Sequence, residues 1–199
     1  MNSEQLKAWD GEFGGDYHGR NHLADLKRRI RLWSEILGDI EPQSILEVGA
    51  GTGTNMIALT VIANSKLFAI EPNKDARRFL EADGSVTACD GTAQSMPLPD
   101  EAVELVFTSG VLIHIPPDEL DAALDEIYRV SSRYIACIEY FAVEPEMKKY
   151  RGRDNLLFKR DFGGYWMDRY PDLKVVNHGF AWKRVTGLDN LTWWLFSKG

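Results

Sequence analysis

Positive charge is scarce in this sequence: 23 Lys and Arg stand against 30 Asp and Glu, for a net charge of −7. A surface that tracks nucleic-acid phosphates shows as a basic excess, so the deficit argues against a nucleic-acid partner. Cysteine is nearly absent as well. Cys89 and Cys137 lie far apart with no metal-type spacing, which removes a disulfide framework and leaves no metal site to expect. No apolar run approaches the roughly 20 residues needed to cross a bilayer, and no charged-then-apolar leader opens the chain. A reduced, cytoplasmic protein without a membrane span is expected. Repeats, low-complexity tracts and linkers are lacking too. What is present is 44% hydrophobic and 27% charged over 199 residues, the balance of an ordinary globular chain, and it predicts one domain over 1–199.

Leu23, Leu26, Ile30, Trp33, Leu37 and Ile40 recur at three- and four-residue steps, which predicts an amphipathic helix ahead of the first strand. Lys27, Arg28, Arg29 and Arg31 read as its solvated face. Short apolar runs then alternate with helix-like stretches: SILEV, KLFAI, SVTAC, VELVFTS and RYIACIEY. This is the pattern of a parallel sheet covered on both faces. Asn73 can cap a helix over 74–82, and Pro117, Asp118 and Glu119 open one that buries Leu120, Leu124 and Ile127. Phe158, Phe162, Tyr165 and Trp166 suggest one more. LKVVNHGFAWK and LTWWLFSKG, joined by the turn residues of RVTGLDN, predict a closing antiparallel pair.

In ILEVGAGTGTN, Gly49, Gly51 and Gly53 follow the first strand at alternate positions and lead into a helix. Side chains are given up where the chain must turn tightly and let a ligand approach its backbone, and open α/β sheets bind ligands beyond the carboxyl ends of their strands. A dinucleotide fingerprint would need glycine at position 54, which is Thr54. Glu71, closing the second strand, can accept both ribose hydroxyls of an adenosine, and this alone suits a nicotinamide or another adenosine cofactor; it is equally consistent with a surface carboxylate. Asp90 is equally consistent with a turn residue.

Glu47, the glycines at 49, 51 and 53, Glu71-Pro72-Asn73 and Asp90-Gly91 together resemble the class I S-adenosylmethionine-dependent methyltransferases over about residues 44–140. The resemblance implies a Rossmann-like, seven-stranded, mostly parallel sheet ending in an antiparallel hairpin, with helices on both faces. It also implies S-adenosylmethionine as cofactor. The Gly49–Gly53 loop with Ala50 would pack against its methionine and ribose, Glu71 would hold the ribose, and Asp90 and Gly91 would approach the adenine; Glu47, Pro72 and Ser109 complete the expected cofactor set. The N-P-P-Y/F type of motif found in base-amino methyltransferases is absent, a second argument against nucleic acid as substrate.

The ends of the chain carry a finer likeness. WDGEFGGDYHGRN, Trp9–Asn21, is too rich in glycine and aromatics for an ordinary helix, and YRGRDNLLFKRDFGGYW spans 150–166. Both segments are similar to the methylases found with pseudaminic acid biosynthesis, a bacterial sugar-acid pathway. Residues 1–40 are expected to form an arm and helix covering the cofactor. Arg20 suits the cofactor's carboxylate, since a guanidinium grips two oxygens at once, and Trp9 and Tyr17 suit a cation or a ring; both aromatics are also consistent with plain core anchors.

Methyl transfer from a sulfonium is an in-line displacement that needs an aligned nucleophile and, for a hydroxyl, a proton acceptor. His114, after the fourth strand, is the candidate base, with a structural pocket wall as the alternative. Glu139, Tyr140 and Tyr150 are candidates for the acceptor wall, and Arg151, Arg153, Lys159 and Arg160 form a basic cluster in an acidic chain. Tyr140, Tyr150, Arg151 and Lys159 are taken as the acceptor-binding set. The expected activity is methylation of a small molecule, an oxygen of an acidic sugar or its nucleotide-linked form. The alternatives are an amine or carboxylate acceptor, a non-catalytic S-adenosylmethionine-binding partner protein, and an NAD-dependent enzyme. Oligomeric state is not legible.

Overall fold

The computed structural model describes residues 26–82, 84–150 and 153–199. Helix α1 (Leu26–Leu37) leads into strand β1 (Ser44–Val48), followed by α2 (Thr54–Ile62), β2 (Lys66–Ile70), α3 (Lys74–Leu80) and β3 (Val86–Cys89). Next come β4 (Val103–Ser109), a 3-10 turn (Leu112–His114), α4 (Pro117–Val130) and β5 (Ser131–Glu139). A separate hairpin, β6 (Glu146–Tyr150) and β7 (Arg153–Lys159), precedes α5 (Phe162–Arg169), β8 (Lys174–Ala181), the single-turn α6 (Lys183–Thr186) and β9 (Leu191–Ser197).

Seven strands share one sheet in the order β3-β2-β1-β4-β5-β9-β8. The first five are parallel, β9 runs antiparallel to β5, and β8 antiparallel to β9. The order reverses between β1 and β4, so both carboxyl ends open at the switch point where α/β sheets bind ligands. Alternation along each strand divides the core into two layers. Ile45, Leu105, Phe107 and Ile138 pack with α1 and α2 on one face, whereas Leu46, Val106, Ile135 and Cys137 pack with α4 and α5 on the other. A sheet covered on both faces needs apolar residues at consecutive positions, which is why the central strands read as unbroken apolar runs.

Local chemistry sets the boundaries. The Asn73 side chain accepts from the backbone N–H groups of Asp75 and Ala76, each at 3.0 Å, and starts α3. Pro117 occupies the first turn of α4, where its missing N–H costs nothing, with Asp118 and Glu119 complementing the helix dipole. Asp161 caps α5 by accepting from Gly164 N at 2.9 Å. Gly163 is required by close packing: a Cβ there would lie 2.3 Å from Trp194 Nε1.

Two expectations need correction. Phe158 belongs to β7 rather than to the helix that holds Phe162, Tyr165 and Trp166, because the chain turns back on itself in a hairpin before α5 begins. Arg29 is not on a solvated face. Its guanidinium donates to Asn55 Oδ1 at 2.6 Å and its Nε is buried, because α1 lies directly over the start of α2. Leu23 falls outside the described residues.

Trp33 fixes that helix to the sheet. It is fully buried, its ring meets Phe107 edge-on at 4.4 Å, and its Nε1 donates to Asn55 Oδ1 at 3.2 Å. Trp33→Ala is expected to cost about 3–5 kcal/mol, checked by urea unfolding.

Candidate active site

At the end of β1 the backbone enters the left-handed region three times, with φ of 71° at Gly49, 54° at Gly51 and 75° at Gly53. Gly49 also meets a neighbouring turn: a Cβ there would lie 2.8 Å from Val111 Cγ2. Gly49 N and Ala50 N both donate to the Ile70 carbonyl, at 2.7 and 3.3 Å, which binds the loop to β2. Glu71 then joins two loops. Its Oε2 accepts from Gly51 N at 2.7 Å and its Oε1 from Asn73 N at 2.9 Å, with the residue buried. Arg77 closes the same corner through the Glu71 and Pro72 carbonyls at 2.6 and 2.7 Å and Asp90 Oδ1 at 2.9 Å. Asp90 is largely exposed, and Gly91 tucks against Ile70 and Ser95.

Glu47 lies one layer deeper. It accepts from Asn55 Nδ2, while Asn55 Oδ1 takes Arg29 and Trp33 from α1. Its other oxygen, Oε2, is buried with no hydrogen-bond partner among the described residues. Burial raises its pKa to about 8, outweighing the Asn55 hydrogen bond and the Arg29 charge.

Across the switch point, Ser109 ends β4 half-buried, and Gly110 (φ 69°) turns the chain into the 3-10 segment. Glu139, at the end of β5, neither lines a surface nor faces a cleft. It is fully buried, accepting from Val111 N and Leu112 N at 3.1 Å and from Ile113 N at 3.4 Å. Burial raises its pKa to about 7 against the pull of those amides. His114 Nδ1 is paired with the Leu156 carbonyl of β7. A carbonyl can only accept, so Nδ1 carries the proton and Nε2 is the acceptor nitrogen. Burial lowers the His114 pKa to about 4, which leaves the ring neutral and weakly basic at neutral pH.

Beyond β5 a cleft of about 1150 Å³ opens between the β6–β7 hairpin and the β8–β9 edge. Tyr140, Phe141, Phe180 and Trp194 form apolar walls, with Lys159, Lys183, Asp189 and Asn190 among its polar groups. Lys183 pairs with Asp189 at 3.0 Å, and Asp189 also accepts from Tyr140 OH at 3.0 Å. Among the described residues Lys159 forms no ion pair, and its Nζ sits 4.9 Å above the Tyr140 ring. Tyr150 closes β6, its side chain outside the described part. Arg151, Trp9, Tyr17 and Arg20 also lie outside the described residues. Among the described residues there is no cluster of metal-ligating side chains and no helix long and apolar enough to cross a membrane.

The structure thus brings Glu47, Gly49–Gly53, Glu71, Pro72, Asp90, Gly91 and Ser109 to one edge, and His114, Tyr140 and Lys159 beside it. Asn55 and Glu139 carry roles that sequence reasoning missed. Asn55 stands eight positions after Glu47, in the first turn of a helix, where a polar residue reads as an ordinary cap.

Residues 45–133 match the family model described as a methyltransferase domain. An uncharacterized methyltransferase of Bacillus velezensis is 24% identical over 202 residues, covering 93% of this chain and 92% of that one. The malonyl-[acyl-carrier protein] O-methyltransferase of Methylococcus capsulatus is 29% identical over 136 residues, 62% of this chain and 48% of the other. Among solved structures, Burkholderia thailandensis 1,6-didemethyltoxoflavin-N1-methyltransferase, holding 1,6-didemethyltoxoflavin and S-adenosylhomocysteine, superposes with a TM-score of 0.75 at 16% identity. It covers 98% of this chain and 89% of its own. That likeness is one of fold.

The raised Glu47 pKa carries a sign. Between the usual 4.5 and about 8 the folded chain holds this proton more tightly than the unfolded one. Its contribution to stability is therefore full below 4.5 and lost as pH rises toward 8. His114 acts oppositely, its contribution falling away as pH drops from 6.5 toward 4. Glu47→Gln is expected to gain stability relative to the parent between about pH 5 and about pH 8, checked by urea unfolding at both values.

Proposed function

We propose that this chain, a class I S-adenosylmethionine-dependent methyltransferase, methylates a small acidic molecule held in the cleft beside its cofactor edge. The carboxyl edge of β1 carries this reading: three left-handed glycines bare the backbone beside Glu47, whose buried Oε2 has no partner among the described residues. As the neutral acid that a pKa of about 8 favours, Oε2 offers its proton to a ligand acceptor, and once ionised it takes a donor or a cation. When bound, S-adenosylmethionine supplies a methyl group activated on a sulfonium sulfur. The residues that would hold it are the Gly49–Gly53 loop, Glu47, Glu71 with Pro72, Asp90, Gly91 and Ser109. The reading also takes in a single domain over 1–199 whose residues 1–40 would cover the cofactor; Arg20, for its carboxylate, and Tyr17, for its ring or sulfonium, lie outside the described residues.

The chain's own groups supply alignment and exclusion of water. His114, neutral with Nε2 as its acceptor, orients the attacking group. Its low pKa makes it a weak proton acceptor, so an already nucleophilic oxygen is the better acceptor atom. Lys159, Arg151, Tyr150 and Tyr140 hold the substrate. Lys183 is neutralised by Asp189 and Asp161 is engaged as a helix cap, which leaves Lys159 as the cation for an incoming anion. An acidic sugar of the nonulosonic type, or its nucleotide-linked form, fits this set and accords with the likeness of the segments 9–21 and 150–166. The relative named for O-methylation of a malonyl group supports an acid as acceptor. Nucleic acid as acceptor is disfavoured by the net charge of −7.

Two experiments test the reading. Glu71→Ala, which frees Gly51 N and Asn73 N, is expected to weaken S-adenosylhomocysteine binding by about 1–3 kcal/mol in calorimetry; unchanged affinity would remove Glu71 from the cofactor site. Radiolabelled methyl transfer to fractionated small acids should identify the acceptor. Lys159→Gln should then raise its KM about tenfold with cofactor affinity unchanged. A neutral or cationic acceptor would end the acidic reading and leave the methyltransferase standing.

A further inference from the structure

The turn after β4 touches both halves of the site. On one side Val111 occupies the space that a Cβ on Gly49 would need. On the other, His114 is bonded to the Leu156 carbonyl of β7, the strand that carries Lys159 into the cleft. Besides its own backbone bonds and the burial of Leu112 and Ile113, a carboxylate from another strand ties this turn to the sheet. Glu139 takes the N–H groups of Val111, Leu112 and Ile113, and the next residue, Tyr140, is already a wall of the cleft.

We infer that Glu139 is a positioning residue that keeps the hairpin and its cleft in register with the cofactor loop. The inference rests on reading the cleft as the acceptor site. A carboxylate is the side chain suited to this task. In its ionised form, which the three amides favour against the burial that raises its pKa to about 7, it offers two oxygens and no hydrogen, so it can face three consecutive amides without meeting a donor. An amide side chain in its place keeps one acceptor oxygen and turns an NH₂ toward a backbone N–H. Charge-assisted bonds to backbone amides are also stronger than neutral ones, so the turn is held more stiffly than packing alone would hold it. Methyl transfer is sensitive to such stiffness, because the acceptor must lie in line behind the methyl group, and small misplacements cost large factors in rate.

The test compares the parent with Glu139→Gln, using S-adenosylhomocysteine as the probe. Calorimetry measures affinity, and amide hydrogen exchange reads Leu112–His114 and Leu156–Lys159 with and without the probe. In the parent, exchange across both stretches should slow on binding. In Glu139→Gln, affinity should stay within about threefold of the parent while the response at Leu156–Lys159 is lost, and kcat for the acceptor should fall about tenfold or more. If Glu139→Gln does not fold, Glu139→Asp, which keeps both oxygens but draws them back, carries the same comparison with the same expected loss. A variant that binds the probe and keeps the full hairpin response and kcat would overturn the inference, as would a parent whose hairpin does not respond. Failure of the parent to bind S-adenosylhomocysteine would instead overturn the cofactor reading, and calorimetry shows that first.

Discussion

Burying a carboxylate strips it of water, and the fold has to return hydrogen bonds or a proton in exchange. Glu47, Glu71 and Glu139 impose that demand together, within or just beyond three strands at one edge of the sheet. Each is met differently. Glu71 and Glu139 recruit backbone amides from neighbouring loops, five N–H groups between them. Glu47 takes an amide side chain and keeps a raised pKa. The result is that the loops after β1, β2 and β4 are tied to side chains from the strands. A ligand arriving at the edge meets groups already in place, which saves the ordering entropy that mobile loops would lose.

The same demand explains the layer above. Burying Asn55 to serve Glu47 buries its carbonyl oxygen as well, and Arg29 and Trp33 of α1 supply the donors that oxygen needs. Helix α1 is thus bound to the glycine loop through polar contacts, and to the sheet through the Trp33–Phe107 contact. One face of α1 serves the core while Arg29 serves the site. Hydrophobic periodicity reports the first and is blind to the second. That is why Arg29 reads as a solvated residue in the sequence and is half-buried in the fold.

The sheet was legible because a strand buried on both faces has no polar alternative: SILEV, KLFAI, SVTAC and VELVFTS contain strands of the fold, and RYIACIEY overlaps β5, which starts two residues earlier at Ser131. Asn73 and Pro117 were legible for a local reason, since a cap acts on amides within a few residues. The β6–β7 hairpin was not. Its strands carry Lys148, Arg153 and Lys159 and pair only with each other, and β7 buries Leu156, Leu157 and Phe158 in succession, so no alternation marks them as strands. Glu139 was legible as chemistry but not as direction. A carboxylate at a strand end points to solvent unless something across the sheet supplies donors, and Val111–Ile113 lie 26 to 28 positions away.

Legibility therefore divides along the site itself. The stretch that matches a methyltransferase domain, 45–133, holds the glycine loop, Glu47, Glu71, Asp90 and His114, and stops before Glu139, the hairpin and the cleft. The cofactor side is built from backbone conformations, which glycine spacing reports directly. The cleft proposed for the acceptor is lined by Tyr140, Phe141, Lys159, Phe180 and Trp194, which four separate parts of the chain bring together. No local pattern can report such a meeting. Aromatic walls that carry a cation are suited to select by shape and charge, and they can change without disturbing the edge beside them. A site divided in this way presents backbone on the side that matches a methyltransferase domain and side chains on the side proposed for the acceptor, so the two halves are free to vary independently.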